Sequence, residues 1–179
     1  MFNRKAAKPK SMATRVVKKL GLKKDMTVAD IGAGGGYFSF LFAKKVEQVY
    51  AYDLNPEFVA FIMDHCEEEG IKNVRAKFVK ESGPEENGKF DLVFIRNVCH
   101  HIPKRTKYFK GLKRALKLDG RLVIIEYRKG KGFSFHSLFG HNVEKETLVR
   151  EAGKAGFELK SDYDFLPEQN FLVFISGGN

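Results

Sequence analysis

The sequence predicts an α/β protein: a doubly wound, mostly parallel seven-stranded sheet with a C-terminal antiparallel hairpin and helices on both faces. Three observations predict it. Five short apolar runs alternate with helical patterns through most of the 179 residues. A glycine-rich turn links the first run to the helix that follows it. The last two runs are joined only by Leu166-Pro167-Glu168-Gln169-Asn170, too short for a crossover helix, so that pair must be antiparallel.

Each element follows in order. Residues 1 to 10 are basic and expected to be mobile, leaving residues 11 to 179 as one domain. Ser11 to Leu20 fits a short helix, with Ser11 as N-cap and Gly21 as stop. Met26–Ile31 reads as a buried strand, Gly36–Lys45 as a helix, and Gln48–Asp53 as the second strand. Pro56 opens a helix that Gly70 ends. Val74–Val79 and Phe90–Ile95 are the third and fourth strands. Pro103 opens a helix with Tyr108, Phe109, Leu112, Ala115 and Leu116 on one face and lysines on the other. Asp119-Gly120 turns the chain into the fifth strand, Arg121–Tyr127. A glycine-rich loop, a helix over Val143–Ala155 and strands over Phe157–Phe165 and Phe171–Ser176 complete the fold.

Composition narrows the class further. Hydrophobic residues make up 43%, enough for a core without disulfides. Cys66 and Cys99 form no framework, which suits a reducing compartment. The N-terminus lacks the apolar stretch of a signal peptide, and no apolar run reaches the ~18 residues of a membrane span. A cytoplasmic protein without membrane insertion is expected. The formal charge of +10 is unevenly spread: residues 1 to 24 hold nine basic side chains and no acid, and residues 103 to 121 hold eight against Asp119 alone. Such faces can attract an anionic macromolecule or simply be solvated.

The chemistry is concentrated in Asp30-Ile31-Gly32-Ala33-Gly34-Gly35-Gly36. Glycines at alternate positions let the backbone bend sharply and lie against a ligand. A dinucleotide fingerprint counted from Gly32 requires Gly or Ala at the place of Tyr37, and Asp30 would repel a pyrophosphate. No Gly-Lys-Ser/Thr follows, which excludes a Walker loop. Asp30 can instead pair with an ammonium, directly or through water. Asp53, ending the second strand, can accept hydrogen bonds from both hydroxyls of a ribose. A nucleoside sugar plus an amino-acid head, with no required phosphate, describes S-adenosylmethionine better than NAD.

At these residues the chain resembles the class I, seven-strand, Rossmann-like S-adenosylmethionine-dependent methyltransferases, of the small stand-alone type. VADIGAGGGYFS matches the cofactor loop, VYAYDLNPEFV the ribose acid, FDLVFIRNVCHHI the fourth strand and its exit, and KLDGRLVIIEY the turn into the fifth. Asp119-Gly120 departs from the family's usual Pro-Gly-Gly at that turn. The resemblance implies that Asp30, Gly32, Gly34 and Gly36 cradle the methionine side. It likewise implies that Asp53 holds the ribose, Leu54 packs beside the adenine and Glu81 meets the adenine amino group. The backbone around Ile95 and Arg96 would line the methionine end. The cofactor would leave as S-adenosylhomocysteine, and no metal is expected.

Acceptor chemistry is less legible. Displacement at a sulfonium needs a base only when the acceptor arrives protonated. His100 or His101 can serve as that base or orient the acceptor; equally, one can pack into the fold while the other caps the helix opened by Pro103. Adjacent residues rarely converge on one ion, so Cys99-His100-His101 makes a poor metal site. Asn97 can hydrogen-bond an acceptor, but Arg96-Asn97-Val98-Cys99 lacks the Asn/Asp-Pro-Pro-aromatic motif of amino-methylating relatives. Tyr127 and His136 flank a loop whose aromatics either cover an acceptor or pack on the sheet. Tyr37 can touch the cofactor or fill space. The reading that results is a methyltransferase, with a small-metabolite acceptor favoured. Its alternatives are action on protein, ribosome or RNA, and non-catalytic binding of the cofactor.

Overall fold

A computed structural model describes residues 8–128 and 142–177 of the chain. Among the described residues five α-helices and seven strands are ordered α1 (Ala13–Leu20), β1 (Thr27–Ile31), α2 (Tyr37–Ala43), β2 (Gln48–Asp53), α3 (Pro56–Glu68), β3 (Val74–Phe78), β4 (Phe90–Arg96), α4 (Arg105–Ala115), β5 (Leu116–Tyr127), α5 (Lys145–Lys154), β6 (Phe157–Tyr163) and β7 (Gln169–Ser176). They build one sheet in the order β3-β2-β1-β4-β5-β7-β6. β1 to β5 pair in parallel, and β7 runs antiparallel between β5 and β6, which is the closing hairpin the short connection demanded.

Alternation along the strands sends side chains to two cores. Val28, Val49, Phe94 and Val123 meet α1, α2 and α3 through Val16, Phe42 and Ile62. Ile31, Val93, Ile95 and Ile124 meet α4 and α5 through Phe109, Leu112 and Leu148. Phe42, Phe90, Phe94 and Phe109 are fully buried, and each contributes about 1.5–3 kcal/mol relative to exposure. The sheet reverses its order between β1 and β4, which opens a crevice at the carboxyl ends of those strands.

Several expected boundaries shift for identifiable reasons. Ser11 closes a 3₁₀ turn, Pro9–Ser11, rather than capping α1; Met12 takes the cap position at φ 47° with no side-chain cap. No helix opens at Pro103. Cys99–His101 form their own 3₁₀ turn, and α4 begins at Arg105 with Lys104 at its N-cap position. The fifth strand starts at Leu116, not Arg121: Phe90 pairs with Leu116 and Leu92 with Arg121, so Lys117–Gly120 bulge within the strand. Gly120 is needed there, because a Cβ would lie 2.8 Å from the Phe90 carbonyl oxygen and 2.9 Å from that of Lys117. Residues 1–7 of the basic terminus lie outside the described residues.

Candidate active site

The glycine turn leaves β1 at the crevice and is stitched to β2. The N–H groups of Gly32 and Ala33 both donate to the Tyr52 carbonyl, at 2.8 and 3.0 Å. Gly34 adopts φ 53° and would meet nothing within 4 Å if it carried a Cβ, so the space above it is open. Gly36 caps α2 at φ 77°, where a Cβ would lie 2.9 Å from both Phe40 and Ile62. Gly34 therefore faces open space, while Gly36 is required by packing.

Asp53 points back at this turn. Its Oδ2 accepts from the Gly34 N–H at 2.8 Å and its Oδ1 from the Asn55 N–H at 2.9 Å. Asn55 in turn caps α3 by accepting from the Glu57 N–H. Each carboxylate oxygen keeps a lone pair beyond the one used, so the fixed group can accept two more hydrogen bonds. Asp30 lies beneath the turn, 3% exposed. Its Oδ2 accepts from the Ser39 hydroxyl at 2.6 Å. Burial pushes its pKa up to about 7, the Ser39 hydroxyl opposes that rise, and the Asp53 charge adds to it. A cation beside Asp30 would relieve the cost of its buried charge, to which the nearby Asp53 adds.

An apolar ledge adjoins Asp53. Leu54 is 52% exposed, and Phe78, the register partner of Asp53 on β3, is 58% exposed. Phase along the strand gave no signal for Phe78, which reads as an ordinary strand aromatic. Glu81 is exposed on the turn beyond β3.

At the ends of β4 and β5 the expected residues separate. His100 is buried, its Nδ1 3.0 Å from Glu126 Oε1, and its N–H donates to Glu126 Oε2 at 3.3 Å. Glu126, fully buried, also accepts from the Tyr127 N–H at 2.9 Å. His101 is exposed, with its ring 4.1 Å from that of His100. His100 is thus built into the wall, and His101 is the histidine turned outward. Glu126 was missed from sequence because it sits in an otherwise apolar strand. Tyr127 is half-buried beside Arg96, and burial raises its pKa. Arg96 turns its side chain toward the N-terminal segment, with Nη2 donating to the Ser11 carbonyl at 3.0 Å and to Gln169 Oε1 at 2.7 Å. Tyr37 packs edge-on against Phe38. His136 and its loop lie outside the described residues. Among the described residues no group of three or more His, Cys, Asp or Glu could hold a metal.

A doubly wound sheet whose glycine turn is held by an acid at the end of β2 defines the class I, Rossmann-like methyltransferase architecture. A methyltransferase-domain model matches residues 22–161, and the chain belongs to that family. It is 29% identical over 113 residues to the uncharacterized methyltransferase YcgJ of Bacillus subtilis, a match spanning 63% of this chain and 45% of that protein. It is 34% identical over 98 residues to a ubiquinone biosynthesis O-methyltransferase of Xanthomonas oryzae, spanning 54% of this chain and 41% of that one. These matches span less than half the length of either relative. A SAM-dependent methyltransferase from Aquifex aeolicus superposes with a TM-score of 0.82 at 24% identity, over 92% of this chain and 89% of that one. A Haemonchus contortus phosphoethanolamine N-methyltransferase 2, in complex with S-adenosyl-L-methionine, superposes with a TM-score of 0.81 at 19% identity, over 94% of this chain and 53% of that one.

Proposed function

We propose that this chain is an S-adenosylmethionine-dependent methyltransferase acting on a small acceptor in the cytoplasm. The observation that carries the reading is the open space above Gly34, bounded by a fixed Asp53 carboxylate and a buried Asp30. Those residues fit the cofactor: a sugar diol on Asp53, an ammonium toward Asp30, and a purine on the Leu54 and Phe78 ledge. Glu81 is the candidate partner of the adenine amino group. When bound, S-adenosylmethionine supplies an electrophilic methyl on a sulfonium.

The chain's own residues then position and exclude. Gly32 and Gly36 hold the turn, Gly34 leaves room for the cofactor, and Asp53 would fix the orientation of its ribose, which is the positioning that methyl transfer requires. His101 is the candidate base for a protonated acceptor, Tyr127 borders its path, and His100 holds the adjoining turn through Glu126. The names of two relatives, a ubiquinone biosynthesis O-methyltransferase and a phosphoethanolamine N-methyltransferase, support a small acceptor. So does the separation of the two basic helices: α1 packs on one face of the sheet and α4 on the other, so their lysines do not merge into one surface. No described helix is long and apolar enough to cross a membrane.

Incubation with methyl-labelled S-adenosylmethionine and fractionated cell extract tests the reading. Label entering small solutes is expected. Label entering only protein or RNA would refute the small-acceptor assignment, and no transfer despite cofactor binding would refute the enzymatic one.

A further inference from the structure

Arg96 ends β4, on the sheet face that packs against α2, with its guanidinium 4.8 Å from the centre of the Phe38 ring. Every hydrogen-bond acceptor it uses is neutral: the Ser11 carbonyl and the Gln169 amide oxygen. Its Nη1 is sealed from solvent without a hydrogen-bond partner. Among the described residues Arg96 forms no ion pair, and Glu126 and Glu151 are taken by His100 and Arg105. Burial lowers the pKa of Arg96 only to about 10, so it remains a cation at neutral pH. A desolvated cation with one orphaned donor and no counter-charge is costly, and a ligand oxyanion removes that cost.

The surroundings hold this cation in a defined place. Gln169, 5% exposed, accepts from Arg96 and donates from Nε2 to Asn97 Oδ1. Its backbone carbonyl accepts from the Nε of a second cation, Arg128, at 3.1 Å. Asn97 (φ 57°) and Met12 (φ 47°) are the non-glycine residues with left-handed backbone among those described. One follows Arg96 and the other follows Ser11, so both strained residues flank the guanidinium. Strain of this kind persists where surrounding structure enforces it, commonly at ligand clamps. The phenols of Tyr37 and Tyr127 lie near enough to Arg96 to interact with it electrostatically. Tyr37 also follows Gly36, which ties the cluster to the glycine turn.

We infer that Arg96 is the anion receptor of the acceptor pocket: the methyl acceptor carries a carboxylate or phosphate that docks on Nη1 between Tyr37 and Tyr127. The incoming oxyanion displaces the neutral Gln169 amide from Nη2 and takes both guanidinium nitrogens in a fork. Acceptor identity is thereby narrowed to anionic small molecules, an assignment that rests on the methyltransferase reading.

Inorganic phosphate and acetate are the probes, titrated by calorimetry into protein saturated with S-adenosylhomocysteine, at constant ionic strength against chloride. Phosphate binding is expected in the wild type. Arg96→Met is expected to weaken it at least about tenfold, while S-adenosylhomocysteine affinity stays within about threefold. Gln169→Glu places a carboxylate against Nη2 and should abolish phosphate binding, while its cooperative melting transition, with the donor to Asn97 lost and an ion pair to Arg96 gained, controls for misfolding of the methionine variant. Neither anion binding to the loaded wild type would overturn the inference. So would equal phosphate binding by Arg96→Met. Phosphate competing with S-adenosylhomocysteine, together with loss of that ligand in Arg96→Met, would also overturn it by giving the site to the cofactor's own carboxylate. Failure of the wild type to bind S-adenosylhomocysteine at all would instead sink the methyltransferase reading, and the acceptor assignment with it.

Discussion

The buried Asp30 makes cofactor affinity depend on pH in a specific way. Its pKa stands at about 7 rather than 3.8 because burial disfavours the charged form. The raised value costs stability: the protonated state is retained on folding below about pH 4, and the penalty grows as pH rises from there to 7, reaching roughly 4 kcal/mol. An ammonium ligand recovers part of it, because it pairs with the carboxylate and not with the acid. The ligand's α-amino group, beside a free carboxylate rather than a peptide bond, stays protonated through this range. Productive pairing then requires only that Asp30 be charged, so affinity follows that fraction. It is about 0.09 at pH 6, about 0.7 at pH 7.4 and about 0.9 at pH 8. S-adenosylhomocysteine should therefore bind about eightfold more tightly at pH 7.4 than at pH 6. Calorimetry across that range, in buffers of different ionisation enthalpy, reads both the affinity and the proton released near pH 7. Asp30→Asn should weaken binding and abolish the acidic limb. A flat profile between pH 6 and 7.4 in the wild type would refute the placement of the ammonium at Asp30.

Further outcomes follow from the same geometry. Ser39→Ala removes the hydroxyl that opposes the Asp30 shift, so the acidic limb of the affinity profile should move to higher pH, with little change near pH 8. Gly34→Ala and Gly36→Ala should differ in what they lose. A Cβ at Gly34 enters open space on a left-handed backbone, so the variant should lose about 1–2 kcal/mol of stability from backbone strain alone and at least tenfold in S-adenosylhomocysteine affinity. A Cβ at Gly36 strikes Phe40 and Ile62, and the melting temperature should fall by about 4 °C or more. Glu126→Ala deletes the acceptor shared by the His100 ring and two backbone N–H groups. It should cost about 3 kcal/mol in a denaturant melt while leaving S-adenosylhomocysteine affinity nearly unchanged.

How much of this was legible depended on the range of the interaction. The places of the glycine turn and of Asp53 could be read because local backbone sets them: alternate glycines must bend, and an acid ending a strand sits at that strand's carboxyl edge. The doubly wound, mostly parallel class followed from alternation, and the antiparallel pair from the brevity of its connection, while the strand order came only with the structure. The start of β5 was hidden because Asp119-Gly120 has turn chemistry, yet Gly120 serves a bulge pressed against the Phe90 carbonyl. The histidine pair could not be resolved, since what buries His100 is Glu126, 26 residues away on a strand that otherwise reads as apolar. Arg96 was placed correctly at the end of its strand, but its partners Ser11 and Gln169 lie 85 and 73 residues distant. No periodicity reports such a contact.

Calorimetry with S-adenosylhomocysteine and NAD on wild type and Asp53→Ala tests the central claim most directly. Two ribose hydroxyls on one carboxylate are worth about 3 kcal/mol, so binding in the micromolar range should weaken about a hundredfold in the variant, with no NAD bound by either. Equal affinity in wild type and variant, or NAD bound where S-adenosylhomocysteine is not, would contradict it.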